Sequence, residues 1–320
     1  MHAIPLEDLF PTESVVPEER QIGRSGDIAR LTKRMADRKN TLLLDARRVG
    51  KTSTALASLQ HCASELGAVT LHVDLVFSTA RTPRAMIDEL LAQAAQQNVG
   101  SAIRRLHRRK RGRQALNVAE GRAAKRAAKL LGVEDITDAA EIIDDLAPGR
   151  NTTLERVLTA LEADAQVAGR PVVVFIDEVH GLIAWGEAGE QVQLDLATAV
   201  RRRGRKVTFL FAGSDQRAAR KVFGKAHPLH DTCLDFGLSE IAPEDWHEGL
   251  RARFQELGYG IAATELDAIL AASHGHPLRT MQVCSHVAEW AHDGPSQVIG
   301  TVIVERGIAS AKLNPAWKTK

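Results

Sequence analysis

Aromatic side chains are scarce in this 320-residue chain: eight Phe, four Trp and one Tyr, together 4% of the sequence. A core of this size must therefore rest on Leu, Val, Ile and Ala. Cysteine is scarcer still, with only Cys62, Cys233 and Cys284, widely separated. That excludes a disulfide framework and offers no zinc-ligand spacing, which fits a reducing compartment. His227 and His230 lie near Cys233 without a fourth ligand beside them, so no metal centre is read there. No apolar run approaches the ~20 residues of a membrane span. The opening Met1-His2-Ala3-Ile4-Pro5 lacks the basic-then-apolar pattern of a leader, so a cytoplasmic protein is the default expectation. No internal repeat is visible. Neither sign of charge dominates: 42 Lys and Arg stand against 40 Asp and Glu, and a net charge of +2 points to no partner by itself. What remains, 44% hydrophobic and 26% charged, is an ordinary globular composition, long enough for one large domain and a smaller one.

The stretch from Thr41 to Ser53 carries the strongest chemistry. Leu42 to Leu44 reads as a buried strand and Thr52 to Ser64 as a helix, with a loop ending in Gly50-Lys51-Thr52 between them. Strand, loop, Gly-Lys-Thr and helix is how a phosphate-binding loop is built. The backbone N–H groups of Asp45, Ala46, Arg47, Arg48, Val49, Gly50, Lys51, Thr52 and Ser53, together with the helix N-terminus, are expected to converge on one anion. Lys51 is expected to reach the β- and γ-phosphates of ATP and the Thr52 hydroxyl to sit on Mg²⁺. The usual pattern has a glycine where this chain has Asp45. Asp tolerates unusual backbone angles, so the loop can still turn. Its carboxylate, however, sits near where phosphates belong, and two readings stand: a tolerated substitution or weakened turnover.

Along the rest of the chain, residues 1–21 contain Pro5, Pro11 and Pro17 and read as an extended arm. A helix follows Ile22-Gly23-Arg24, with Ser25 as N-cap and Ile28, Leu31 and Met35 on one face. Val69 to Leu75 alternates apolar and polar residues like a strand. Thr82 caps a helix with Pro83 at its first position. Thr152-Thr153-Leu154-Glu155 is a capping box opening a helix to about Val167. Val172 to Ile176, ending on Asp177-Glu178, suits a central strand of a parallel sheet. Asp177 is the expected Mg²⁺ ligand, and Glu178 the group that orients and deprotonates an attacking water. A helix over Gly189 to Arg203 leads to a further strand, Val207 to Ser214, whose final serine is placed to hold that water or the γ-phosphate. Strands alternating with helices mean βαβ units and a parallel sheet. From Leu238 onward strands are expected to stop. Helices are read at Pro243–Leu257, Thr264–Ser273, Pro277–His292 and about Thr301–Lys312, with Trp246, Leu250, Phe254 and Leu257 as an apolar stripe. Arg279, in the helix opened by Gly275-His276-Pro277, is a candidate to reach phosphates across an interdomain cleft.

Residues 98–150 differ from their surroundings. Between Arg104 and Lys129 stand eleven Lys or Arg and one acid, Glu120, densest at Arg108-Arg109-Lys110-Arg111-Gly112-Arg113. Glu134, Asp135, Asp138, Glu141, Asp144 and Asp145 follow as an acidic block. The basic block contains no ring on which a base could stack. It reads either as a nucleic-acid contact or, preferably, as a face neutralised by the acids across a helical hairpin.

Leu43-Leu44-Asp45-Ala46-Arg47-Arg48-Val49-Gly50-Lys51-Thr52-Ser53 resembles the Gly-Pro-Arg-Arg-Val-Gly-Lys-Thr-Ser loop of the archaeal-type P-loop ATPases, which sit among the AAA+-like and STAND ATPases. Ile22-Gly23-Arg24 is similar to their N-terminal Gly-Arg box, Phe175-Ile176-Asp177-Glu178 to their Walker B, Ala212-Gly213-Ser214 to their sensor strand and Gly275-His276-Pro277 to the Gly-His-Pro of their helical lid. The likeness spans about residues 20–290. It implies an AAA+-like α/β P-loop domain over 22–236, containing the 98–150 insertion, after an arm at 1–21 and before an α-helical lid at 237–320. It also implies ATP and Mg²⁺ at the cleft between domain and lid, with Gly23, Arg24 and Pro277 among the nucleotide-binding residues and Lys51, Glu178, Ser214 and Arg279 serving catalysis. Such domains often complete their site with an arginine from a neighbour, for which Arg201, Arg202, Arg203, Arg217 and Arg220 are candidates. Three departures stand out: Asp45-Ala46 in place of Gly-Pro, Asp231-Thr232 where relatives often have Gly-Arg, and the 98–150 segment. The expected function is an ATPase acting as a switch or motor subunit, self-associating or bound to a protein partner. A switch with negligible turnover and a nucleic-acid-associated ATPase of DNA mobility, replication or defence are the rivals. A small-molecule kinase is weaker, since no acceptor-site signature is present.

Overall fold

The computed structural model describes residues 5–76, 82–97, 154–201, 206–294, 296–314 and 317. The basic and acidic blocks at 98–150, Thr152 and Thr153 of the capping box, and Arg202 and Arg203 lie outside the described residues. The chain forms two compact units. One comprises Leu31–Leu44 and Ser58–Gly237; the other comprises Met1–Arg30, Asp45–Ala57 and Leu238–Lys320. Among the described residues no helix is long and apolar enough to cross a membrane.

The first unit is built on a five-stranded sheet. Its strands are β1 (Thr41–Leu44), β2 (Val69–Asp74), β3 (Val172–Asp177), β4 (Val207–Gly213) and β5 (Leu234–Phe236), in the order β2-β3-β4-β1-β5. Every pairing is parallel. The β-branched run of β3 is buried at all six positions and β4 at all seven, as strands covered on both faces must be. Parallel register carries the strands to one common edge: Asp74 stands opposite Asp177, and Leu44 opposite Gly213. Leu44 is the last residue before the phosphate loop, so the loop leaves the sheet from its carboxyl edge, where parallel α/β sheets bind ligands. Asn40 fastens this junction. Its Oδ1 accepts from Phe209 N at 3.0 Å and its carbonyl accepts from Leu234 N at 2.9 Å, bracing both neighbours of β1.

The helices of this unit follow the expected faces. In the helix Pro83–Gln96, Thr82 Oγ1 accepts from Ala85 N at 3.2 Å, and Met86, Ile87, Leu90 and Ala94 are buried. Leu154–Ala168 buries Leu154, Val157, Leu158, Leu161 and Ala165, an amphipathic stripe, against Glu187–Arg201. The exposed edge of β2 is closed by side-chain amides. Gln93 exchanges hydrogen bonds with the backbone N–H and C=O of His72, and Gln97 does the same with Thr70. The two glutamines stand in for a sixth strand and blunt an edge that would otherwise invite pairing.

The second unit has its own core, with Leu9, Phe10, Trp246, Leu250, Phe254, Leu266, Ile269 and Val287 among its members. Its C-terminal helices are Pro243–Glu256, Ala263–Ser273, Pro277–His292 and Thr301–Leu313, each within a few residues of expectation. Two expectations fail here. Strands do not stop at Leu238: Gly260–Ile261 and Val298–Ile299 pair in parallel, a two-residue ladder too short to leave a period-2 signature. The arm is not wholly extended either, because Leu6–Leu9 is helical and Glu18–Arg20 forms a 3₁₀ turn. Leu9 and Phe10 are fully buried, and the Phe10 ring lies 5.0 Å from that of Phe254, so the arm is anchored by burial.

Candidate functional site

The phosphate loop belongs to the second unit and is followed at once by the helix Lys51–Leu66. Arg48 (φ +62°) and Gly50 (φ +95°) take left-handed backbone angles that turn the chain into the helix. The first helical bond, Thr54 N to Gly50 O at 2.9 Å, leaves the amides ahead of it at the positive end of the helix. Lys51, 6% exposed, donates to the carbonyls of Asp45 and Ala46, so its ammonium is folded over the loop. Asp45 Oδ1 accepts from Ala46 N at 2.7 Å. The carboxylate thus turns the loop where glycine is usual, and it engages a backbone N–H of the loop itself. Thr52 stands in the first helical turn, and Ser53 is buried.

Side chains from both ends of the chain brace the loop. Arg24, 6% exposed, donates to Val49 O at 2.9 Å, to Ser239 O at 2.6 Å and to Asp27 Oδ2 at 2.9 Å. Asp27, 2% exposed, also accepts from Arg30 and from the backbone N–H and hydroxyl of Ser239. Burial alone would raise its pKa; the bonds from Arg30, Ser239 and Arg24 outweigh that and hold it below the usual carboxylate range. Gly23, at φ +63°, passes so close to Ile241 and Asp245 that a Cβ would fall 2.7 Å from Ile241 Cγ2. The Gly275-His276-Pro277 triplet also meets the loop. His276 Nε2 lies 3.2 Å from Arg47 O, and burial lowers its pKa, favouring the neutral ring that donates from Nε2.

Beside the loop the same unit has an open pocket of about 60 Å³, whose lining mixes Val16, Ile22, Ile241 and Pro277 with Gly50 and Ser53 of the loop and helix. Gln21 and Trp246 also line it. Gln21 Nε2 donates to Val16 O and to Ser53 O, both at 3.0 Å, and Val16 N donates to Ser53 Oγ at 3.0 Å. Arg253, 4% exposed, donates to Met281 Sδ at 2.9 Å and to Arg20 O. Burial lowers its pKa to about 10, which leaves it cationic at neutral pH. The pocket and the loop share Val49, Gly50, Ser53 and Thr54 of the loop and its helix.

In the first unit, Asp177 is 2% exposed at the end of β3. Glu178 follows at φ +49°, a left-handed angle rare for a glutamate, its N–H bonded to Asp177 Oδ1 at 2.8 Å. Strain of this kind collects at functional positions. Glu178 Oε2 accepts from Ser214 N at 2.9 Å and lies 3.1 Å from His180 Nδ1. The carboxylate, the end of β4 and an imidazole therefore form one cluster, in which Ser214 takes part through its backbone.

The remaining candidates are placed as follows. Arg279 donates to Trp317 O at 3.2 Å, its guanidinium 5.6 Å from the Trp317 ring centre. Arg201 donates to Pro228 O at 2.6 Å. Arg217 and Arg220 are exposed. Among the described residues no cluster of His, Cys, Asp or Glu is arranged to hold a metal by itself. Gln21, Asp27, His180 and Arg253 were not singled out from the sequence, and Trp246 was read only as part of an apolar stripe. Gln21 and Arg253 have partners far away along the chain, Ser53 and Met281, while the Gly-Arg box beside Asp27 and the Asp-Glu beside His180 were the only hints of the others.

No protein-family model matches the sequence, and no curated protein matches it. Solved structures do. The Walker-type ATPase PABY2304 of Pyrococcus abyssi superposes at a TM-score of 0.62 with 17% identity, over 95% of this chain and 75% of that one. ORC2 of Aeropyrum pernix, in ADPNP–ADP complexes, superposes at 0.58 with 14% identity, over 95% of this chain and 72% of that one. Aeropyrum pernix ORC1, in complex with DNA, superposes at 0.56 with 14% identity, over 96% and 69%. The parallel five-stranded sheet flanked by helices, with a helical C-terminal region, is the AAA+ P-loop NTPase fold.

Asp45→Gly removes a carboxylate from the loop and releases the Ala46 N–H. Coulomb repulsion between a carboxylate and a nearby phosphate is on the order of 1–4 kcal/mol at effective dielectrics of ~80 to 20. The glycine variant is expected to bind ATP more tightly, by about tenfold or more, in a calorimetric titration. Equal affinity would show that the carboxylate points away from the phosphates.

Proposed function

We propose that this chain is an AAA+/STAND-type ATPase that uses ATP and Mg²⁺ to switch the surface it offers a partner. The observation that carries the reading is the second unit, which joins a phosphate loop to an adjoining apolar pocket through shared residues Val49, Gly50, Ser53 and Thr54. The AAA+ fold supports it. In this reading the base enters the pocket, the amides of 45–53 and the ammonium of Lys51 take the phosphates, and Glu178 deprotonates the attacking water. The Thr52 hydroxyl and the Asp177 carboxylate offer the hard oxygen donors that Mg²⁺ prefers. Mg²⁺, when bound, neutralises charge on the phosphate oxygens. Ser214 and Arg279 are the further catalytic candidates, and Gly23, Arg24 and Pro277 shape the nucleotide side. Arm, ATPase domain and lid, divided near 22 and 237, are the working parts, and closure of the lid is the switching step.

Lys51→Ala should abolish ATP binding. Glu178→Gln should keep it and lose turnover by roughly 10²-fold or more, the usual contribution of a general base. Labelled-ATP binding and ADP release, measured on both variants, check this. Parent-like binding by Lys51→Ala would end the loop assignment. Unchanged turnover in Glu178→Gln would make that residue structural, and a parent without turnover would favour the nucleotide-binding switch.

A second reading adds nucleic acid. It rests on the eleven basic residues among one acid between Arg104 and Lys129, and a structural neighbour was solved with DNA. If the block contacts phosphates, neutralising Arg108, Arg109, Lys110, Arg111 and Arg113 together should flatten the log–log salt dependence of DNA affinity by about one unit per lost contact. ATP binding should not change. An unchanged DNA titration with a lowered melting temperature would instead identify a block paired with the acids at 134–145.

A further inference from the structure

The N-terminal arm runs past the pocket beside the phosphate loop, and it is held there without burial. No residue from 11 to 23 is buried, whereas Leu9 and Phe10 ahead of that stretch are fully buried and Arg24 behind it is 6% exposed. Pro11 and Val16 nevertheless line the pocket. Polar contacts fix the stretch at both ends. At its start stands the exposed Glu7 carboxylate. Its Oε1 accepts from the backbone N–H groups of Thr12, Glu13 and Ser14 at 2.8, 2.9 and 3.3 Å and from the Ser14 hydroxyl at 3.2 Å. Its Oε2 accepts from the Thr12 hydroxyl at 3.0 Å. Burial alone would raise the Glu7 pKa; the bonds from Glu13, Thr12 and Ser14 outweigh that and keep it ionised at neutral pH. At the far end, Val16 N donates to Ser53 Oγ, and Gln21 donates to Val16 O and Ser53 O. Ser53 lies in the first turn of the helix that follows the phosphate loop.

Size and local stability single out this stretch as the wall that moves. The pocket measures about 60 Å³, while a cavity of about 150 Å³ is the scale that takes a six-membered ring. Seating a ring therefore needs one wall to give way. Trp246, Met281 and Arg253 form other parts of the lining and are all buried, the first two within the core of the unit. Local opening is cheapest where the hydrogen bonds are exposed to water and few apolar contacts are lost, which describes residues 11–16. Five of their hydrogen bonds converge on one carboxylate, so a single side chain governs the opening.

We infer that residues 11–16 are a strap latched by Glu7, and that nucleotide enters and leaves the pocket when the latch opens. The inference rests on the nucleotide reading of the pocket. Glu7 is not among the lining residues, so it is a positioning residue that acts through the strap.

The test measures association and dissociation of the fluorescent N-methylanthraniloyl analogue of ATP with Mg²⁺ by stopped flow on the full chain. In Glu7→Ala both rate constants should rise together by about tenfold, the scale of one hydrogen bond to a charged group, with Kd within about twofold of the parent's. Glu7→Gln keeps one side-chain acceptor oxygen and should fall between the two. Hydrogen–deuterium exchange on the parent needs no variant: the amides of Thr12, Glu13, Ser14 and Val16 should exchange by local opening, well before those of the helix Pro277–His292. Unchanged rate constants in Glu7→Ala overturn the inference. So does weaker binding through faster dissociation alone, the mark of a merely structural residue, or exchange of the strap amides only on global unfolding. If the parent does not bind the analogue, the nucleotide reading falls and the ligand half of this inference with it, while the exchange measurement still decides whether the strap opens.

Discussion

One guanidinium holds three distant parts of the chain in register. Arg24 reaches Val49 O in the phosphate loop, Ser239 O at the start of the C-terminal helices and Asp27 in its own helix. Each of the two carbonyls would otherwise need another donor, and the guanidinium supplies a planar fork that satisfies both at once. Its charge is almost fully buried, which is tolerable only because Asp27 neutralises it. Asp27 in turn takes the Ser239 backbone and hydroxyl, so removing either partner would strand the other charge. The loop, the arm and the first turn of the C-terminal region are therefore one mechanical piece. It explains why residues 45–57 belong with segments some 200 positions away in the sequence rather than with the strand that precedes them.

Five non-glycine residues hold left-handed backbone angles, Arg38, Arg48, Glu178, Asp231 and His274, and two of them lie in the candidate site. Arg48 in the loop and Glu178 after β3 both hold left-handed angles that favour glycine. Hydrogen bonds surround both: Lys51 donates to the loop carbonyls, and Glu178 donates its N–H to Asp177 and accepts from Ser214 N. The caps, amphipathic faces and buried strands of the regular elements agree with one another.

That consistency is what made much of the fold legible. The uninterrupted apolar run of β3, the Thr82-Pro83 cap and the Trp246, Leu250, Phe254 stripe are local signals with one physical meaning each, and the structure has them where they were expected. Gly50-Lys51-Thr52 was legible for the same reason. What could not be read depends on distant partners. Gln21 matters because Ser53 lies beside it, and Arg253 because it is enclosed with Met281; neither has a local pattern. The two-residue ladder of Gly260–Ile261 and Val298–Ile299 is below any periodicity, and the short helix Leu6–Leu9 was hidden by the prolines around it. Ser214 was read from its place at the end of β4; its backbone bond to Glu178 depends on a residue 36 positions away.

The central claim is that arm, loop and C-terminal helices form one nucleotide-binding unit. Hydrogen–deuterium exchange with and without Mg·ATP tests it most directly. The account predicts slowed exchange in three distant segments together, residues 16–24, 45–54 and 246–281, and no such change in Lys51→Ala. Protection confined to a single segment, or falling outside all three, would contradict it.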